Sequence, residues 1–92
     1  MENIKLEPNN NVLDIGFGNG YLIEKLFKKN IPINIYGIEI SNDMLNIVSQ
    51  KNKKIIEEGN LKLFLEDISK TSFEENTFDK IYTVELFGNF SF

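Results

Sequence analysis

Two kinds of hydrophobic pattern alternate along this chain. Strand-like runs occupy residues 11–15, 33–40, 61–67 and 79–84, and the segments after the first two runs place apolar residues every three or four positions. The runs predict β-strands and the periodic segments predict helices. Because residues 33–40 are apolar on both faces, that strand should lie centrally, with helices on each side. The pattern therefore predicts an α/β fold with a doubly wound parallel sheet of about four strands.

Two helices are predicted between the first three strands. The apolar face of the first is formed by Leu22, Ile23, Leu26 and Phe27. This helix should end near Asn30, because Pro32 follows. The second should begin after Ser41, a good N-cap, and continue to Gly59. Its buried stripe is expected to comprise Met44, Leu45, Val48 and Ile55.

The composition disfavours several classes of function. A chain of 92 residues supports one small domain, and its apolar runs are too short to cross a bilayer. Cysteine and histidine are both absent, which argues against disulfides, thiolate metal sites and triad hydrolysis. The net charge is −4 with no arginine, which disfavours binding to a nucleic-acid backbone. We expect a cytoplasmic protein with no bound metal, no membrane association and no nucleic-acid partner.

The segment VLDIGFGNG, residues 12–20, carries the most informative pattern. It follows the first predicted strand and precedes the first helix, and Gly16, Gly18 and Gly20 would let the backbone approach a ligand closely. The alternative is that these glycines only form a tight corner. The dinucleotide fingerprint needs glycine or alanine five positions after the first glycine, where this chain has Tyr21.

Three acids are expected at one edge of the predicted sheet. Asp14, Glu39 and Asp67 lie at or near the ends of the first, second and third strands. Ligands of open α/β sheets bind at this carboxyl edge. Taken alone, Glu39 could be a solvated strand end, and Asp67 could be a helix cap or a loop acid.

The residues LDIGFGNG resemble the first motif of class I S-adenosylmethionine-dependent methyltransferases, in which an acid precedes glycines at alternate positions. The resemblance implies a Rossmann-like fold of strand order 3-2-1-4, with S-adenosyl-L-methionine as the cofactor and S-adenosyl-L-homocysteine as its product. The implied cofactor-binding residues are Asp14, Gly16, Phe17, Gly18, Gly20, Glu39, Ile40, Met44, Asp67, Ile68 and Glu85. It identifies no catalytic residue.

The resemblance also implies a role for several of these positions. The family's residue at Glu39 binds the ribose hydroxyls, and Ile40 would pack against the adenine. Asp67 would bind the adenine amino group, and the backbone amide of Ile68 would reach a ring nitrogen. Glu85 would lie beside the methionine moiety, whose ammonium group a carboxylate can attract.

The resemblance covers nearly the whole chain but only the first part of the family fold, which continues through three further strands. We therefore expect residues 1–92 to be a partial methyltransferase domain, the cofactor-binding half, from a truncated or naturally shortened chain. An exposed edge at the fourth strand favours pairing. A homodimer through that strand and an aromatic tail, Phe87, Phe90 and Phe92, is the expected assembly.

Three functions remain open from the sequence. The first is a methyltransferase acting on a small molecule. The second is a noncatalytic S-adenosylmethionine-binding fragment or regulatory module. The third is a nicotinamide-dinucleotide-binding fragment, which the glycine spacing disfavours.

Overall fold

Four parallel strands form one sheet in this protein. The computed structural model describes residues 6–67, 69 and 77–83. In chain order the elements are β1 (Asn11–Ile15), α1 (Tyr21–Phe27), β2 (Asn34–Glu39), α2 (Asn42–Lys51), α3 (Lys53–Glu57), β3 (Leu61–Leu65) and β4 (Lys80–Thr83). The strand order is β3-β2-β1-β4, and all three neighbouring pairs are parallel. The predicted α/β class and the order 3-2-1-4 are confirmed.

The main core lies on the face of the sheet that α1 and α2 cover. Helix α1 buries Leu22, Ile23 and Leu26, and α2 buries Val48. These side chains meet the strand residues Val12, Ile35 and Leu61 in one cluster. A smaller cluster of Leu13, Ile15 and Ile38 lies on the opposite face, as the two-residue alternation of a strand requires. Within the described ranges, no helix has the length and apolar character needed to span a membrane.

Asparagine side chains link three strands at the amino edge of the sheet. The Nδ2 of Asn34 donates to the Oδ1 of Asn11 at 3.3 Å, and the Nδ2 of Asn60 donates to the Oδ1 of Asn34 at 3.2 Å. The carboxylate of Asp79 accepts from the backbone N–H of Asn11 at 2.7 Å, which ties the start of β4 to β1. We call Asn11, Asn34 and Asn60 the asparagine seam.

The second predicted helix is interrupted, which corrects the prediction of one helix up to Gly59. Helix α2 ends at Lys51, and Asn52 leaves helical geometry with φ −119° and ψ 27°. Its buried side-chain amide donates to the Val48 carbonyl at 2.9 Å, and its backbone N–H donates to the same carbonyl at 3.1 Å. The chain then resumes as the short helix α3. Of the predicted buried stripe only Val48 is fully buried, whereas Leu45 and Ile55 pack against the same core and stay partly exposed.

Two other boundaries differ from the prediction by two or three residues, and the ends of β2 and the start of β4 each differ by one. Helix α1 ends at Phe27, three residues before Asn30, which adopts a left-handed φ of 57° that a helix cannot continue through. Strand β3 ends at Leu65 and therefore stops two residues before Asp67. Boundaries are the part of a sequence-based assignment that depends most on local geometry.

A close contact in β2 positions the turn that follows β1. A Cβ atom on Gly37 would lie 2.8 Å from Cδ2 of Phe17 and 2.9 Å from Cδ2 of Leu63. Phe17 is only 3% exposed, so its ring has little room to move. The absence of a side chain at Gly37 is therefore what lets Phe17 lie against the sheet.

We predict that Gly37→Ala destabilises the protein. The added methyl group overpacks a full site, and overpacking of this kind costs about 1–3 kcal/mol. Urea unfolding followed by circular dichroism measures the change in the free energy of unfolding. In a background that carries both Phe17→Ala and Leu63→Ala the same substitution should cost less, because both side chains that the methyl group would meet are then shortened. An equal cost in both backgrounds would contradict the packing explanation.

Candidate functional site

The predicted site residues gather at the carboxyl edge of the sheet. Asp14 is the penultimate residue of β1, Glu39 is the last residue of β2, and Asp67 lies two residues beyond β3. The turn from β1 to α1, residues 16–20, lies at the same edge and is called the glycine loop below. Open α/β sheets bind ligands at this edge.

The glycine loop has backbone geometry that suits glycine. Gly16, Gly18 and Gly20 have φ angles of 69°, 55° and 81°, in the left-handed region that other residues rarely adopt. A Cβ atom at Gly16 would meet nothing within 4 Å, and one at Gly18 would meet only a backbone oxygen at 4.0 Å. At Gly20 a Cβ atom would lie 3.0 Å from the Val48 side chain. The first two glycines therefore face open space, whereas the third packs against α2.

The amide groups of the loop are already bonded to the end of β2. The N–H groups of Gly16 and Phe17 both donate to the Ile38 carbonyl, at 2.8 and 3.3 Å. The N–H of Gly18 donates to the Glu39 carboxylate at 2.8 Å. These three N–H groups hold the loop against β2. They do not point into the open space beside the loop, where they would have to point to bind an anion.

Phe17 is a predicted cofactor-binding residue, and the structure places its side chain and its backbone in different surroundings. Its side chain is buried in the core against Gly37, as described above. Only its backbone lies in the glycine loop. Any contact of Phe17 with a ligand would therefore be made by main-chain atoms.

Glu39 connects two structural elements through one carboxylate. Its Oε1 accepts from the N–H of Gly18 at 2.8 Å, and its Oε2 accepts from the N–H of Ser41 at 3.0 Å. Ser41 in turn caps α2, since its Oγ accepts from the N–H of Met44 at 3.3 Å. A carboxylate oxygen can accept more than one hydrogen bond, so Glu39 keeps capacity for a further donor.

Asp14 is fully buried, with 0% of its surface exposed. Neither carboxyl oxygen has a hydrogen-bond partner among the residues that the structure describes. Burial, reinforced by the negative charge of Glu39, raises the pKa of Asp14 from 3.8 to about 7. In β1 it lies opposite Gly37 of β2 and Tyr82 of β4, on the helix-covered face.

Ile40 and Met44 lie next to this arrangement. Ile40 follows Glu39 directly and is 75% exposed, which is unusual for so large an apolar side chain and leaves it available for a ligand. Met44 lies in the first turn of α2 and is half-buried. Both positions fit the predicted site, and their binding roles stay predictions.

Asp67 has the bonding of a turn residue. It is exposed, and its Oδ1 accepts from both the backbone N–H and the Oγ of Ser69, each at 2.9 Å. This is the loop-acid alternative that the sequence left open, and it leaves the predicted adenine contact a prediction. Ile68 and Glu85, the remaining predicted positions, lie outside the described residues, as does the aromatic tail.

Two contributors to the site were not predicted from the sequence. The backbone N–H of Ser41 fixes one oxygen of Glu39, although Ser41 was expected only as a helix cap. Gly37 supports the glycine loop through Phe17. A lone glycine inside an apolar strand often marks a close approach of another group, and this signal was present in the sequence.

A separate cavity of about 380 Å³ lies at the opposite edge of the sheet. It is lined chiefly by Phe27, Ile31, Pro32, Ile33 and Ile55, with Glu58 as its charged residue. None of the predicted site residues lines it. The bonding and charge described above therefore make the carboxyl edge the candidate site.

The chain is similar to several known proteins. The chain is 36% identical over 90 residues to a phosphoethanolamine N-methyltransferase of Plasmodium falciparum, a match that covers 90% of this chain and 30% of that protein. It superimposes on the crystal structure of the MccD protein with a TM-score of 0.71 and 28% identity, over 83% of this chain and 33% of that one. This chain therefore spans about a third of the length of each.

A third relative agrees in fold. A Haemonchus contortus phosphoethanolamine N-methyltransferase 2, solved with phosphomonomethylethanolamine and S-adenosylhomocysteine, gives a TM-score of 0.73 at 22% identity. That match covers 86% of this chain and 18% of the other. The family model for a methyltransferase domain matches residues 12–91, which is most of the sequence. The chain thus belongs to the methyltransferase domain family.

Proposed function

We propose that this chain binds S-adenosyl-L-methionine and forms the donor-binding part of a methyltransferase that acts on a small molecule. The observation that carries the proposal is the position of the Glu39 carboxylate, which is held beside the open side of the glycine loop. Family membership and the cofactor named for the Haemonchus relative support the same conclusion.

The residues present fit such a ligand. The space beside Gly16 and Gly18 is open, so a ligand could approach the backbone there. The buried Asp14 carboxyl lies in the strand that leads into the glycine loop and has no hydrogen-bond partner in the described part of the chain, and a cationic group bound at the loop would favour its ionised form. The exposed Ile40 offers an apolar surface for a flat ring.

The proposal gives a binding role to several of the predicted site residues. Glu39 accepts hydrogen bonds from the two ribose hydroxyls while it continues to hold Gly18. Ile40 packs against the adenine, and Asp67 with Ile68 recognises the adenine edge. Asp14 and Glu85 attract the positively charged methionine end.

When bound, S-adenosyl-L-methionine supplies a methyl group that is already activated on a sulfonium centre. The chain therefore has only to bind, orient and shield the reacting groups, and needs no general base for this purpose. The lack of histidine and cysteine is compatible with that task.

The acceptor in this proposal is a small molecule. The name of the Plasmodium relative, a phosphoethanolamine N-methyltransferase, supports this class of acceptor. The net charge of −4 argues against a nucleic-acid acceptor for this segment. The cytoplasm is the proposed location, which cell fractionation tests.

The dinucleotide alternative is disfavoured by the bonding of the glycine loop. A pyrophosphate needs backbone N–H donors that point at it. Here the amides of Gly16, Phe17 and Gly18 donate to β2 and Glu39 instead. A noncatalytic donor-binding module shares the proposed site, and a methyl-transfer assay distinguishes it from an enzyme.

We predict that the protein binds S-adenosyl-L-homocysteine and that Glu39→Ala weakens this binding at least about tenfold, because hydrogen bonds to a charged group contribute about 1.5–3 kcal/mol each. Isothermal titration calorimetry with this ligand, and in parallel with a nicotinamide dinucleotide, makes the measurement. Glu24→Ala removes an exposed carboxylate from α1 and is the matched control, with unchanged affinity expected.

Two results would contradict this prediction. Tight dinucleotide binding with no response to the homocysteine ligand would favour the alternative function. Unchanged affinity in Glu39→Ala would show that the ribose lies elsewhere. Because Glu39 also holds the glycine loop, the variant's circular dichroism spectrum must match that of the unsubstituted protein before its affinity is interpreted.

The assembly in this proposal is a homodimer through the edge of β4. Among the described residues, β4 pairs only with β1, and Ile81 is 56% exposed. An exposed strand edge can pair with a second copy. We predict a mass in solution of twice the chain's 10.7 kDa, measured by light scattering after size exclusion. A monodisperse monomer would refute this assembly.

A further inference from the structure

The Asp14 carboxyl is an unusual group in the core of this protein. It is completely buried, and no hydrogen-bond donor among the described residues reaches either of its oxygens. An ionised carboxylate in such a place lacks both water and a counter-charge, which is costly, so a buried acid of this kind tends to hold a proton. Asp14 therefore differs from Glu39 in its bonding, because each of the two Glu39 oxygens accepts a hydrogen bond from a backbone N–H.

No group around Asp14 in the described structure donates a hydrogen bond to it. Strand β2 contributes Gly37 in register and Glu39 two residues later. Strand β4 contributes Tyr82 in register, and Lys80 lies two residues earlier on the same face, where it bonds to neither Asp14 oxygen. Helices α1 and α2 present apolar residues to this face of the sheet. The glycine loop carries no ionisable side chain.

Three features thus coincide at one place. A buried acid without a partner lies in the strand that leads into the glycine loop. The negative charge of Glu39 opposes ionisation of that acid. Burial raises the pKa of Tyr82, so the hydroxyl group of Tyr82 is neutral near pH 7 and adds no charge beside Asp14. A ligand with a positive charge would remove the obstacle to ionisation.

We infer that Asp14 holds a proton when the site is empty and releases it to solvent when the positively charged end of an adenosyl ligand binds. Donor binding and proton release are thereby coupled. This inference rests on the proposed function, because it requires a cationic adenosyl ligand at the carboxyl edge.

The expected size of the coupling follows from the titration of Asp14. With the pKa of Asp14 at about 7 in the empty site and returned to its ordinary value of 3.8 in the complex, binding at pH 7 should release about half a proton per site. Nearly a full proton should be released at pH 6 and little at pH 8. The affinity should rise about tenfold from pH 6 to pH 8, because below pH 7 part of the binding free energy is used to remove the proton.

Calorimetry in two buffers of different ionisation enthalpy measures the protons released at a fixed pH. Three ligands separate the possible sources of positive charge. S-adenosylmethionine has an ammonium and a sulfonium group, S-adenosylhomocysteine has the ammonium alone, and 5′-methylthioadenosine has neither. Release with the first two ligands assigns the effect to the ammonium, and release with the first alone assigns it to the sulfonium. Equal release with methylthioadenosine, or binding of S-adenosylmethionine without release, would overturn the inference.

Asp14→Asn tests the assignment to this residue. The variant should bind without proton release, and its affinity should not change with pH between 6 and 8. Asp43→Asn, which removes an exposed acid from the first turn of α2, is the matched control and should keep both effects. If no adenosyl ligand binds the unsubstituted protein at any pH, the proposed function fails. Binding without release contradicts only the inference drawn here.

A measurement without ligand gives an independent check. The pKa of Asp14 is 3.8 in the unfolded chain and about 7 in the folded protein, so between these two pH values the folded state binds more protons than the unfolded state. The contribution of Asp14 to stability is therefore present at pH 4 and is lost as the pH rises through 7. The melting temperature should fall over this range more steeply than in Asp14→Asn. Parallel curves for the two proteins would contradict a buried, protonated Asp14.

Discussion

One carboxylate connects the glycine loop to the start of α2 at the carboxyl edge of the sheet. Glu39 accepts one hydrogen bond from the glycine loop and one from the residue that caps α2. Hydrogen bonds to a charged acceptor are stronger than those to a neutral one. Because the two donors lie in segments before and after β2, this side chain, together with the bonds from Gly16 and Phe17 to the Ile38 carbonyl, places the first turn and the second helix relative to each other. The space that a ligand would occupy is defined by that placement.

The features that were predicted well are those that one stretch of sequence encodes locally. The apolar character of residues 33–40 was sufficient to place β2 centrally, and Ser41 was recognised as a cap by its residue type. The strand order came from the resemblance of residues 13–20 to a methyltransferase motif, and the match of residues 12–91 to that family agrees with it. The placement of Asp14 and Glu39 near one edge follows from parallel topology.

The features that were missed depend on contacts between distant parts of the chain. Asn52 follows the end of α2 with its side chain buried and bonded to the Val48 carbonyl, and burial cannot be read from an asparagine in the sequence. Phe17 is a cofactor-binding position implied by the resemblance, and its ring is packed against Gly37. Asp14 is another such position, and the structure places its carboxyl entirely inside. In each case packing across the fold gives the residue surroundings that its type alone does not reveal.

The asparagine seam at the far side of the sheet has a consequence for this arrangement. It aligns the beginnings of β1, β2 and β3, since Asn11 is level with Asn34 and Asn60 bonds to Asn34. Because the strands start at the same level, a longer strand extends beyond its neighbour at the carboxyl edge by the whole difference in length. Strand β2 has six residues and β1 has five, so Glu39 projects one residue past Ile15. This one-residue extension brings the Glu39 carboxylate level with the glycine loop. If β2 were one residue longer, an acid at its last position would lie on the opposite face of the sheet, away from the loop.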